Sequence, residues 1–167
     1  MRSEYTGLQL TALVAMRFAI GWHFFYEGVA KAVNPYWTSA GYLDQSQGLF
    51  SGFFVDLASN PSTLAVVDAL NVWGLVLVGL GLMFGALTRT AAVAGALMLA
   101  LYYLAAPPWP GLVYSIPAEG AYLFINKTLI ELCALLVTLL FPTGHLIGVD
   151  RLVRLVRESR SAQESYA

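Results

Sequence analysis

The sequence predicts an all-α, polytopic membrane protein: four transmembrane helices in one bundle, both termini inside, and a helical lid on the extracytoplasmic side. Three observations predict it. Hydrophobic residues make up 58% of the 167 positions and charged ones 11%, against roughly 25% charged in soluble domains. Four apolar segments approach the length of about 20 residues that a helix needs to span a bilayer. The cationic residues outside those segments are distributed unevenly. Arg2, Arg89, Arg151, Arg154, Arg157 and Arg160 fall on one side and Lys31 and Lys127 on the other, which places the arginine-rich side in the cytoplasm of an inner membrane.

The expected spans are residues 8–30, 64–87, 90–106 and 122–141, within one domain of residues 1–150. The first segment contains Arg17, His23 and Glu27, and no small-residue cleavage site follows it, so it reads as a retained helix. His23, Glu27 and Lys31 are each four residues apart, which puts them on one stripe of a helix. The second segment carries Asp68 and Asn71 near its outer end. Its glycines, Gly74, Gly81 and Gly85, should pack on Ala91, Ala92, Gly95 and Ala96 of the third segment, since small residues let helix backbones approach in lipid. The fourth segment carries Asn126, Lys127, Glu131 and Cys133. Cys133 reads as a small packing residue.

Two outer loops, 32–62 and 107–121, are rich in aromatics and prolines, including Tyr36, Trp37, Phe53, Trp109, Tyr114 and Pro117. Thr38 or Ser39 is positioned to cap a short helix through Gln45, Gly48 would break it, and a second helix over Leu49–Ala58 would stop at Asn60-Pro61. Loops of this length are often functional, hence the expected lid. Residues 151–167 form a cytoplasmic tail. Leu152, Leu155 and Val156 share a face with arginines around it, the pattern of an amphipathic helix on an anionic leaflet.

Ionisable residues inside a span are costly and are functional candidates by default. Counting about 1.5 Å per residue from the segment ends puts both Arg17 and Glu131 near the midplane, roughly 14 Å from a surface, so the two are expected to pair. The candidate catalytic residues are His23, Glu27 and Lys127. Arg17, Lys31, Asp68, Asn71, Asn126, Glu131 and Trp37 are candidate binding residues. Together they would line a polar column in the outer half of the bundle. The net charge of −1 offers no field for nucleic acid. No metal-ligand spacing exists, His23 and His145 lie on opposite sides and cannot share a haem, and no GxGxxG follows a strand. No metal, haem or flavin is therefore expected.

The run from Arg17 through Gly21-Trp22-His23 and Glu27 to Lys31 resembles the first helix of DoxX and DoxD proteins. Trp37-Thr-Ser-Ala-Gly-Tyr-Leu, Gly79-Leu-Gly-Leu-Met-Phe-Gly85 with Thr88-Arg89, Asn126-Lys127-Thr-Leu-Ile-Glu131 and Gly144-His-Leu-Ile-Gly148-Val-Asp150 are similar to other parts of that family. The resemblance implies a small four-helix membrane protein, best known as the membrane subunit of thiosulfate:quinone oxidoreductase. It also implies quinone as a substrate and an extracytoplasmic or redox partner subunit. On that reading His23 and Lys127 hydrogen-bond a quinone carbonyl, and Glu27 or Glu131 supplies protons. The alternatives are a membrane anchor or assembly factor that docks a redox partner, and a small transporter or proton path, possible as a homo-oligomer.

The topology has a direct check. Single cysteines at Ser46 and Ser115 should react with an impermeant reagent added from outside intact cells. Labelling only after the membrane is breached would invert the arrangement.

Overall fold

The computed structural model describes residues 5–115 and 122–164, with side chains to residue 159. Arg2, Pro117 and the tail beyond residue 164 lie outside the described residues, as does the side chain of Arg160. The elements are α1 (Gly7–Ala32), α2 (Ala40–Leu43), α3 (Ser51–Ser59), α4 (Pro61–Phe84), α5 (Thr88–Ala105), α6 (Lys127–Leu140) and α7 (Val149–Glu164). The chain is a helical membrane protein. Three helices, α1, α4 and α5, are long and apolar enough to cross a bilayer.

Local chemistry fixes most of the boundaries. Thr6 and Gln9 form a reciprocal capping box that starts α1. Asn60 accepts from the N–H groups of Ser62 and Thr63, and Pro61 occupies the first turn of α4, where a missing N–H costs nothing. Asn60-Pro61 therefore does end α3, by starting the next helix. Gly85 adopts φ +62° and terminates α4, so the second span ends before the expected Leu87. The fourth segment differs more. Asn126 is an N-cap, its side chain accepting from Leu129 N–H at 3.0 Å. Residues Tyr122–Ile125 form a turn closed by two backbone hydrogen bonds of 2.9 and 3.0 Å. The helix thus begins at Lys127 rather than at residue 122, and its 14 residues extend about 21 Å, short of a full bilayer core.

The core joins Ile20 and Phe24 of α1, Leu75, Val78 and Leu82 of α4, Ala91, Ala92 and Leu99 of α5, and Leu135 of α6. The closest backbone approach is between α1 and α4, not within the α4–α5 hairpin. A Cβ on Gly21 would lie 2.8 Å from Met83 N and 2.9 Å from Gly79 O, and one on Gly79 would lie 2.7 Å from Gly21 O. Gly74 and Gly81 do face α5, against Met98 and Ala91, but Gly85 faces Gly148 and Arg17. Cys133 is exposed on the outer surface of α6 rather than packed.

The end of the bundle where α4 turns into α5 is closed by the segment after α6. Leu87, the N-cap of α5, has φ +48° and makes no side-chain cap of its own. Asp150 replaces it. One carboxylate oxygen accepts from Leu87 N–H at 2.7 Å, and the other accepts from the Thr88 N–H at 3.0 Å and hydroxyl at 2.9 Å. Asp150 N–H donates to Gly85 O at 2.9 Å. Arg17 completes this clasp, donating to Thr143 Oγ1 at 3.0 Å and to Ile147 O at 2.9 Å. Gly144 lies directly against Thr88, where any Cβ would collide with the hydroxyl. This accounts physically for the glycines of the Gly144–Asp150 motif.

Burial pushes the Asp150 carboxyl up, but the hydrogen bonds from Thr88 and Leu87 and the charge of Arg17 outweigh it and hold the carboxyl below its ordinary value. A depressed carboxylate contributes stability that is fully present above the unfolded value of about 3.9 and is lost as pH falls through the folded value. Asp150→Ala should therefore cost at least about 1–2 kcal/mol near neutral pH, the range for a lost helix cap. Its deficit against wild type should shrink as pH drops below the ordinary carboxylate range. Thermal unfolding in detergent across pH measures both; a deficit independent of pH would remove the ionised clasp.

Candidate functional site

At the opposite end, a cavity of about 820 Å³ opens among α1, α4, α5 and α6, under the two long connections. Its size is that of a small-molecule site. Phe24, Phe54, Leu57, Leu75 and Leu99 supply apolar wall, and Trp37, Tyr42, Trp109 and Tyr114 come from the connections. Of the ten residues singled out from sequence, all but Arg17 and Asp68 line it: His23, Glu27, Lys31, Trp37, Asn71, Asn126, Lys127 and Glu131.

The stripe on α1 enters the cavity as expected from its fourfold spacing. His23 Nε2 lies 3.4 Å from Glu131 Oε1, across the seam between α1 and α6. One turn further along, Lys31 Nζ donates to Glu27 Oε2 at 2.7 Å and stands 5.7 Å from the centre of the Trp37 ring. A cation at that distance is held by the ring's face. The charge of Lys127 also acts on Glu27. Two carboxylates, two ammonium groups and an imidazole therefore share the cavity, each carboxylate with a basic neighbour.

Asn71 Nδ2 donates to the Tyr102 hydroxyl at 2.8 Å, while Asn71 Oδ1 has no partner among the described residues. The Tyr42 hydroxyl donates to Tyr102 O at 2.8 Å. Burial, with Tyr114 adding to it, pushes Tyr42 up to about 12, so its hydroxyl keeps its proton throughout the physiological range. Tyr42, Tyr102 and Tyr114 were not picked out from sequence as site residues. Interfacial tyrosines ordinarily signal only an aromatic belt, and nothing local in the chain aims these three inward.

The two connections are tied to each other and to α5. Ser46 Oγ donates to Ala105 O at 2.7 Å, Gln47 Nε2 to Val113 O at 2.7 Å, and Ser115 N–H to Gln45 Oε1 at 2.7 Å. The Tyr114 hydroxyl reaches Pro107 O at 2.9 Å. Ser46 is consequently buried, which leaves Ser115 as the informative labelling position. Ser39 does not cap α2 with its side chain. Its N–H and hydroxyl instead donate to Asp68 Oδ1 at 2.8 and 2.5 Å. Asp68 thus anchors the first connection to α4 instead of lining the cavity.

The expected Arg17–Glu131 pair is absent. Glu131 faces His23, and the carboxylate acting on Arg17 is that of Asp150. The depth count starts the fourth helix at residue 122, whereas α6 starts at Lys127 and carries Glu131 in its second turn. The helix register, with Gly21 against Gly79 and Met83, sets Arg17 beside Gly85 at the turn. Among the described residues, no cluster of three His, Cys, Asp or Glu could hold a metal ion.

A family model described as DoxX matches residues 12–107, α1 through α5. No curated protein and no solved structure matches the chain.

The two charge systems should separate in a double-mutant cycle. Arg17→Ala and Asp150→Ala each remove a charge that acts on the other and should be non-additive in stability by about 0.5 kcal/mol or more. Arg17→Ala and Glu131→Ala should add. Coupling between Arg17 and Glu131 instead would restore the midplane pair.

Proposed function

The chain belongs to the DoxX family of membrane proteins, and from that premise we propose that it is the membrane subunit of a quinone-linked oxidoreductase, with quinone bound in the cavity among α1, α4, α5 and α6. The observation that carries the reading is the convergence of seven of the candidate polar residues into one cavity of about 820 Å³ with apolar and aromatic walls. A quinone has an apolar ring and tail and two carbonyl oxygens that need donors. His23 and Lys127 supply those donors from facing helices, and Phe24, Leu75 and Leu99 take the ring. Reduction to the quinol consumes two electrons and two protons. The electrons come from a donor on a partner subunit, thiosulfate being the donor the family resemblance suggests. The protons pass through Glu131, beside His23, and Glu27, beside Lys31.

On this reading α6 is the fourth membrane helix, its short length completed by the Tyr122–Ile125 turn. The tied connections are the lid, on the extracytoplasmic face of the inner membrane. Ligand reaches the cavity along the α1–α6 seam, the loosest of the packed helix pairs around it. A second reading, a docking platform for a redox partner, draws support from the exposed Tyr36, Leu49 and Val113 on the connections. A through-path is disfavoured by Phe24, Leu82 and Leu135, which fill the bundle.

His23→Asn, Glu27→Gln and Lys127→Met should each weaken binding of a short-chain quinone analogue by about tenfold or more, the effect of roughly 1.4 kcal/mol. Unfolding temperature should change little. Binding by titration on purified protein, with thermal unfolding on the same preparations, reads both. Wild-type protein that binds no analogue, or variants that all bind as wild type does, would leave the docking platform as the better reading.

A further inference from the structure

The helix at the far end of the chain has no role in the cavity and has its own surface chemistry. At 100° per residue, Val149, Leu152, Val153, Leu155 and Val156 of α7 fall on one continuous stripe. Leu152 is 62% exposed and Val156 52%. Arg157 borders the stripe on one side and Arg151 on the other. Arg154 lies on the opposite face, paired with Glu158 at 3.8 Å. From Val149 to Glu158 the helix is thus cationic along its two borders and close to neutral on its far face.

The clasp determines where this stripe can go. Asp150, in the first turn of α7, is bound to Leu87, Thr88 and Gly85 at the α4–α5 turn. Arg17 grips Ile147 just before the helix begins. The start of α7 is therefore fixed to the end of two helices long and apolar enough to cross a bilayer. From there its 16 residues run about 24 Å.

We propose that α7 lies in the headgroup region of an anionic leaflet, its Leu152–Leu155–Val156 stripe turned into the acyl chains and Arg151 and Arg157 bound to lipid phosphates. Three features select a lipid surface as the occupant. The stripe continues from a membrane-embedded body. Arginine borders suit phosphate oxygens lying above an apolar layer, because the aliphatic stems cover apolar surface while the guanidinium stays in the polar zone. The charge of the borders complements the negative potential of such a leaflet. The clasp then holds the helix in the register that presents this stripe.

An environment-sensitive fluorophore at Leu152→Cys, in full-length protein carrying Cys133→Ser, tests the arrangement. One copy per nanodisc excludes a second chain as the cover. In discs containing phosphatidylglycerol the emission should be blue-shifted, and high salt should reduce the shift. Discs of phosphatidylcholine alone should give a smaller shift. Replacing Arg151 and Arg157 together with Gln should abolish the dependence on anionic lipid, whereas Arg154→Gln should preserve it. A fluorophore in water in both kinds of disc would overturn the proposal and leave the stripe to a protein partner. An equal shift in both, insensitive to the Arg151 and Arg157 substitutions, would overturn the phosphate contacts.

Discussion

The contact between the backbones of α1 and α4 is the constraint on which the remaining geometry depends. Gly21 and Gly79 allow the two helices to meet at a separation that no side chain could occupy. In lipid, where apolar surface alone gives helices little reason to associate, such close packing is a main source of cohesion. It also fixes the register of α1. With Gly21 against Gly79 and Met83, Arg17 must fall beside the α4–α5 turn, and His23, Glu27 and Lys31 must face the cavity at the other end. Displacing α1 by one turn along α4 would separate Arg17 from Thr143 and carry His23 away from Glu131. The stripe that lines the cavity and the clasp at the turn are set by the same crossing.

Charge is distributed along the bundle in two separate groups, one at the clasp and one in the cavity. Arg17 works with Asp150 at the turn, His23 with Glu131 at the base of the cavity, and Glu27 with Lys31 beneath Trp37. Separate pairing matters in a low-dielectric medium, where an isolated charge is expensive and its influence reaches far. It allows the cavity to keep several titratable groups near neutrality as a set. It also insulates them from the clasp, so the closure of one end does not depend on the state of the other.

Much of this was legible in the chain. The spacing of His23, Glu27 and Lys31 gave their common face because a helix imposes it, and apolar length marked α1, α4 and α5. What was not legible depended on how helices are staggered. The partner of Arg17 could not be found by counting from the first apolar residue, since α1 runs past the turn before it meets α4. Asp68 had the composition of a cavity residue but is taken up by Ser39, 29 positions earlier. Asn126 follows an apolar stretch and reads as a polar group inside a span, although an asparagine before a helix-forming run is equally a cap. Tyr42 and Tyr102 enter the site through contacts between residues 60 apart. Periodicity within one segment carries no information about such contacts.

The bond from Asp150 to the first turn of α5 joins residues separated by 62 positions. Synthesis runs from the N-terminus, so α4 and α5 are made before Asp150. Until it arrives, the Leu87 and Thr88 N–H groups have no protein acceptor, and the left-handed Leu87 has nothing to hold it. The hairpin is made first and closed last. A chain stopped before Asp150 would contain every long apolar helix and still lack its lock, so completeness of the C-terminal segment is recorded in the geometry of a turn near the middle of the sequence.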